Sequence, residues 1–147
     1  MSKKYLFFIV LNIFFIKCYF GQEKLNLTNI KGLKIGKWEI RDTIEGIAYK
    51  NVFYFKNGKI NGEYVSYFSD DNTIAAIINY SNGFKNGVSK YFYQNKSISD
   101  VWIFINNKSK YHAKYKPNGE LFQENYDGIY LNYEKGKTID TLNLSQP

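Results

Sequence analysis

The sequence has little of what most catalytic and metal sites are built from. Its 147 residues include one cysteine, Cys18, one histidine, His112, and one arginine, Arg41. A lone imidazole supplies no metal ligand set, and nothing next to His112 reads as its nucleophile partner. Two prolines and 11 glycines exclude collagen and Pro/Gly-rich disorder. After residue 21 no stretch keeps a 3.6-residue apolar period, so no helix is expected there. Gly58, Gly62, Gly83 and Gly87 precede no helical pattern and form no phosphate loop. Asp70-Asp71-Asn72 carries oxygen ligands of the kind calcium takes, but between two strand-like runs it reads as a turn. No pair of carboxylates stands out for glycoside chemistry. These absences predict a chain that is not an enzyme, with no cofactor and no metal.

The longest apolar run lies at the start. Ser2-Lys3-Lys4 is followed by 12 apolar-rich residues, Tyr5 to Ile16, and then Lys17-Cys18-Tyr19-Phe20-Gly21. A positive start and a short apolar run read as a signal peptide; a spanning helix needs about 20 apolar residues. Gly21 is the small residue best placed for cleavage, so residues 1–21 are expected to leave. Cleavage there removes Cys18, and with it disulfides and thiol chemistry. Lipidation of Cys18 is disfavoured, because Phe15-Ile16-Lys17 offers no small residue before it. The expected location is therefore secreted, periplasmic or outer-membrane-associated.

Charge is spread thinly. The formal net charge is +7, and loss of Lys3, Lys4 and Lys17 leaves 17 basic against 13 acidic residues, net +4. Nucleic-acid binders cluster Lys and Arg on one face. Here the lysines fall one or two per strand-like run, so no nucleic-acid partner is expected. Aromatics are abundant, at 19% with 14 Tyr and 12 Phe, and they favour a pleated, half-buried surface.

The organising feature is a repeat. Tyr54-Phe55-Lys56-Asn57-Gly58-Lys59-Ile60-Asn61-Gly62 is written again as Tyr80-Ser81-Asn82-Gly83-Phe84-Lys85-Asn86-Gly87, with Gly58 and Gly83 25 residues apart. A fixed period of this size marks a repeat architecture. Asn-Gly between strand-like runs is a hairpin signal, because a type I′ turn needs positive φ at both central residues. Gly32 to Ile40 is a weaker first copy. Asn106-Asn107 stands 24 residues after Asn82-Gly83. Pro117-Asn118-Gly119 is a further turn, and Tyr126-Asp127-Gly128 opens a last partial copy. Strands are expected at Tyr49–Phe55, Glu63–Phe68, Thr73–Tyr80 (the most apolar, hence central), Val88–Tyr93, Ile98–Ile105, Lys110–Lys116, Glu120–Glu124 and Thr138–Leu142. Residues 22–31 form a lead-in, residues 32–142 the all-β repeat domain and residues 143–147 a tail. The structural turn residues are Gly58, Gly62, Gly83, Gly87, Gly119 and Gly128.

This pattern resembles MORN repeats, in particular the variant repeats of bacterial proteins described as antitoxin-like. The resemblance covers about residues 32–137. It implies consecutive antiparallel β-hairpins in one elongated twisted sheet. It also implies protein–protein contacts and, in some members, binding to membrane phospholipids. Asn107 in place of a turn glycine, and Asn95 with no glycine after it, depart from the pattern. A secretory leader does not suit a cytoplasmic antitoxin.

The expected role is a secreted or envelope-associated protein-binding or scaffold module, with a protein partner at the cell envelope. Peripheral binding to anionic phospholipid is the alternative, and antitoxin-like neutralisation is less favoured. Long open edges also allow a homodimer. The candidate partner-binding face is Tyr64, Tyr67, Tyr91, Tyr93, Trp102 and Tyr115, since Tyr and Trp join large area to a polar tip.

Overall fold

The structure, a computed structural model, describes residues 23–126, 129–134 and 137–143. The expected signal segment and Gly128 lie outside the described residues. What is described is all β: β1 (Leu27–Thr28), β2 (Lys34–Ile44), β3 (Ile47–Lys56), β4 (Lys59–Ile60), β5 (Gly62–Phe68), β6 (Ile74–Ser81), β7 (Phe84–Lys85), β8 (Gly87–Phe92), β9 (Ile98–Ile105), β10 (Lys108–Tyr115), β11 (Leu121–Tyr126), β12 (Ile129–Glu134) and β13 (Lys137–Asn143). Every pairing is antiparallel, and the strands run side by side in chain order, from β1 at one edge to β13 at the other. The two-residue strands β4 and β7 fold back on the ends of β3 and β6. β6 lies near the middle of the sheet, as its apolar sequence predicts.

The repeat is a device for stacking turns. Asn57-Gly58 has φ of 51° and 77°, and Asn82-Gly83 has 50° and 86°, the double positive φ of a type I′ hairpin. Asn106-Asn107 makes the same turn at 47° and 67°; Asn is the non-glycine residue that best tolerates this region. The turns are tied to one another across repeats. Gly58 N donates to Lys34 O at 2.9 Å, Gly83 N to Ile60 O at 2.7 Å and Asn107 N to Lys85 O at 2.9 Å. The second asparagine of each unit extends the tie: Asn82 N donates to Asn61 Oδ1 at 3.1 Å, and Asn106 N to Asn86 Oδ1 at 3.4 Å. Asn107 has a use that glycine could not serve, because its Oδ1 accepts from Lys85 N at 2.6 Å.

The opposite ends of the hairpins repeat as well. Phe68 N bonds Thr73 O, Tyr93 N bonds Ser97 O and Lys116 N bonds Glu120 O. Asp70-Asp71-Asn72 is such a turn, as read from sequence, with Asp71 Oδ1 accepting from Thr73 N and Oγ1. Inside these ends the register slips by one residue each time. Ser66 pairs with Ala76 but Tyr67 with Ile74; Tyr91 pairs with Asp100 but Phe92 with Ile98; Lys114 pairs with Gln123 but Tyr115 with Leu121. Ala75, Ser99 and Phe122 are thus extra residues at equivalent places in successive repeats. A β-bulge bends its strand and increases the local twist. Repeated at this step, the bulges curl the sheet and give it one concave face.

The core is thin, and most of it sits on that face. Pairings place Trp38, Phe53, Tyr64, Ile78 and their neighbours on one side, and aromatic contacts run along it. Trp38 meets Phe55 edge-on at 5.5 Å, Phe53 stacks on Tyr64 at 5.5 Å, and Tyr64 meets Tyr80 at 6.3 Å. Among the described residues, the buried apolar Phe53, Phe68, Ala76 and Ile78 are on this side and Ala75 is a bulge residue, whereas Ala113 is buried on the other side, with Tyr111.

The β2 edge has its own cover. Glu39 N donates to Asn26 Oδ1 at 2.9 Å, while Asn26 Nδ2 donates to Glu39 O at 3.2 Å, so one side-chain amide takes the place of a strand residue. Residues two apart on a strand turn their backbone groups the same way, so the amides of Arg41 and Thr43 also face outward. Thr43 N is occupied by Asp42 Oδ1 at 2.7 Å.

Candidate binding face

The concave face carries a pocket of about 370 Å³ with walls from β2, β3, β5, β6, β8 and β9. It is lined by Ile44, Tyr49, Asn51, Tyr64, Ser66, Phe68, Ala75, Ala76, Ile78, Tyr91, Phe92, Ser99 and Asp100. Two of the bulge residues, Ala75 and Ser99, are in the lining, so the curvature and the pocket share a cause.

Its floor is polar. Asn51 lies on β3 between Tyr49 and Phe53 on the same side of the strand and is 9% exposed. Its Oδ1 accepts from Tyr64 Oη at 2.8 Å and from Ser66 Oγ at 2.7 Å. Ser66 is directly opposite Asn51 on β5. The buried amide oxygen, with two hydroxyl donors, is thereby satisfied at what would otherwise be a costly position. The far wall is also polar. Asp100 Oδ1 lies 2.7 Å from His112 Nε2. An ionised carboxylate only accepts, so Nε2 carries the proton. The His112 ring stacks on Trp102, with centroids 3.6 Å apart and planes 11° apart, and Trp102 stacks on Phe104 at 5.7 Å. Burial raises the hydroxyl pKa of Tyr64, Tyr80 and Tyr91 above the ordinary tyrosine value, and the nearby carboxylates of Asp42 and Asp100 push Tyr64 and Tyr91 the same way.

The six aromatic residues expected to form one face are divided by the sheet. Tyr64, Tyr91 and Trp102 are on the concave side. Tyr67 is on the convex side, opposite Lys50 and Ile74, with Lys50 Nζ 4.7 Å from its ring centre. Tyr67 is three positions after Tyr64 on the same strand, an odd step that strand alternation splits. Tyr93 and Tyr115 belong to the turn ends: Tyr93 Oη donates to Tyr115 O at 2.8 Å and joins adjacent repeats. Tyr111 is on the convex side with Tyr126, and its hydroxyl donates to Glu124 at 2.6 Å. Burial, with the Glu124 carboxylate beside it, raises its pKa well above the ordinary value. The turn glycines Gly58, Gly62, Gly83, Gly87 and Gly119 all have positive φ, as expected.

Residues that sequence reasoning passed over are Asn51, Ser66, Asp100 and the His112 contact. Among the described residues no group of three or more His, Cys, Asp or Glu is placed to hold a metal ion, and no helix is long and apolar enough to cross a membrane. No protein-family model and no curated protein matches the chain.

The convex side has a different character. Lys37, Lys50 and Lys90 share it with Tyr54, Val88 and Ile103, the last three 43%, 42% and 38% exposed.

Proposed function

We propose that this chain is a MORN-like repeat protein, exported to the cell envelope, that binds a protein partner on its concave face. The observation that carries the reading is the continuous concave surface from β2 to β9, with buried aromatics and a pocket that has polar groups on its floor and far wall. Concave sites that combine aromatic walls with a few placed polar groups are the usual form of a binding site. Tyr and Trp at such a surface supply area and a polar handle together.

The test is crosslinking capture from envelope fractions with the chain from Gln22 onward. The expected result is one enriched protein, lost with Tyr91→Ser and kept with Tyr67→Ser, both variants retaining the β-sheet circular-dichroism spectrum. Enrichment that survives Tyr91→Ser and disappears with Tyr67→Ser would move the interface to the convex side.

A second reading is supported by the convex side itself, where Lys37, Lys50 and Lys90 share a face with the exposed Tyr54, Val88 and Ile103. That mixture suits an anionic lipid surface, with basic side chains on headgroups and apolar ones at the interface. Sedimentation with phosphatidylglycerol vesicles, released by salt, would favour it; recovery of protein without vesicles would not.

A further inference from the structure

We propose that the concave pocket receives a basic side chain, arginine or lysine, from the protein partner; this rests on the protein-binding reading of the same face. Three observations converge on a cation. Asp100 is the one ionisable acid or base in the lining, apart from tyrosine hydroxyls, and no lysine or arginine lines the pocket among the described residues. Only one carboxylate oxygen of Asp100 is taken by His112; its side chain is 24% exposed and so open to the pocket. Tyr49, Tyr64, Phe68 and Tyr91, all on the concave side, supply aromatic walls. An aromatic face is electronegative and attracts a cation held within about 6 Å of its centre, more strongly when water is excluded. A planar guanidinium can lie on such a ring and meet a carboxylate edge at once.

The polar floor fits the rest of the same residue. Asn51 Oδ1 is fully occupied by Tyr64 and Ser66, which leaves its amide N–H groups for an incoming acceptor. A backbone carbonyl of an extended partner segment supplies one, while its side chain reaches Asp100. His112 keeps Asp100 oriented from behind, and the stack on Trp102 fixes the imidazole. An acidic side chain would meet Asp100 without a compensating cation, so the pocket selects against it.

The experiment is a ¹⁵N-NMR titration of the chain from Gln22 onward with N-acetyl-arginine amide, N-acetyl-lysine amide and, as the neutral comparison, N-acetyl-glutamine amide. The expected result is saturable shifts at Asn51, Ser66, Tyr91 and Asp100 with a basic probe, and binding weakened about tenfold, the equivalent of 1.4 kcal/mol, by Asp100→Asn. Tyr91→Leu, which removes one ring and leaves the Asp100–His112 contact in place, is expected to weaken it as well, and covers the case in which Asp100→Asn does not fold. Absence of saturable shifts, equal binding of the neutral probe, or unchanged affinity in the variants would overturn the inference. Partner capture retained alongside such a failure would leave the concave-face reading standing without its basic anchor. Loss of capture with probe binding intact would do the reverse.

Discussion

Replacing Asn51 by alanine tests the polar floor of the concave face. The change removes the acceptor of two hydroxyl donors at once. Ser66 is 7% exposed, so its orphaned hydroxyl bears nearly the whole penalty of an unsatisfied buried group, about 1–3 kcal/mol. Tyr64 is half-buried and lines the pocket, where water can take its proton, so it adds about 0.5–1 kcal/mol, the net value of an ordinary hydrogen bond. Asn51→Ala should therefore cost about 1.5–4 kcal/mol in urea unfolding, seen as a lower midpoint at unchanged slope. The same change made in a Tyr64→Phe/Ser66→Ala background should cost much less, because no donor is then left without a partner. The interaction energy from this cycle should be about 1–2 kcal/mol. A cost below about 0.5 kcal/mol, within the range of surface substitutions, or the same cost in both backgrounds, would refute the reasoning.

Other outcomes follow from the turns, the tyrosines and the edge. Gly83→Ala should destabilise by about 1–2 kcal/mol, through its φ of +86° alone, since an added Cβ meets Lys59 at an ordinary 3.7 Å; thermal melting checks it. Asn107→Gly should be near neutral, because the relief of a positive φ offsets the loss of the bond to Lys85 N, whereas Asn107→Ala loses the bond and gains no relief, costing about 1–2 kcal/mol. The folded pKa values of Tyr64, Tyr80, Tyr91 and Tyr111 lie above the ordinary value of about 10, so their contribution is complete below pH 10. As pH rises further the unfolded chain releases these protons first, and stability falls. Phenolate absorbance should thus lag behind that of free tyrosine and rise together with unfolding. Asn26→Ala combined with Asp42→Ala uncovers the outward amides of Glu39 and Thr43 on β2. An uncovered edge invites pairing, so sedimentation should shift toward larger species than those of the unaltered chain.

The turns were legible in the sequence because their chemistry is local. Asn57-Gly58, Asn82-Gly83 and Pro117-Asn118-Gly119 each state their own backbone conformation, and the 25-residue step followed from the first two. Glu45-Gly46 turns between β2 and β3 with φ of 51° and 81°, yet glutamate is not a residue that announces a left-handed turn, and no turn is expected there from the sequence. The concave face was less legible. Bulges at Ala75, Ser99 and Phe122 reset the alternation without any mark in composition, and a list of tyrosines gives no parity until strand positions are fixed. Asn51 and Ser66 are polar residues pointing inward, against the pattern in which polar positions face water, so they were invisible until β3 and β5 were paired. Asp100 and His112 are diagonal neighbours across the β9–β10 hairpin, whose register shifts between Ser109 and Tyr111; no simple count from the turn at Asn106-Asn107 brings them together.

The most direct test of the concave-face reading is photo-crosslinking with benzoylphenylalanine placed singly at Tyr91 and at Tyr67, in the chain expressed with its leader. These two positions lie on opposite sides of one sheet, so the two variants differ in the face that carries the crosslinker. A defined protein adduct from position 91 and none from position 67 is the predicted result. An adduct from position 67 alone would contradict it.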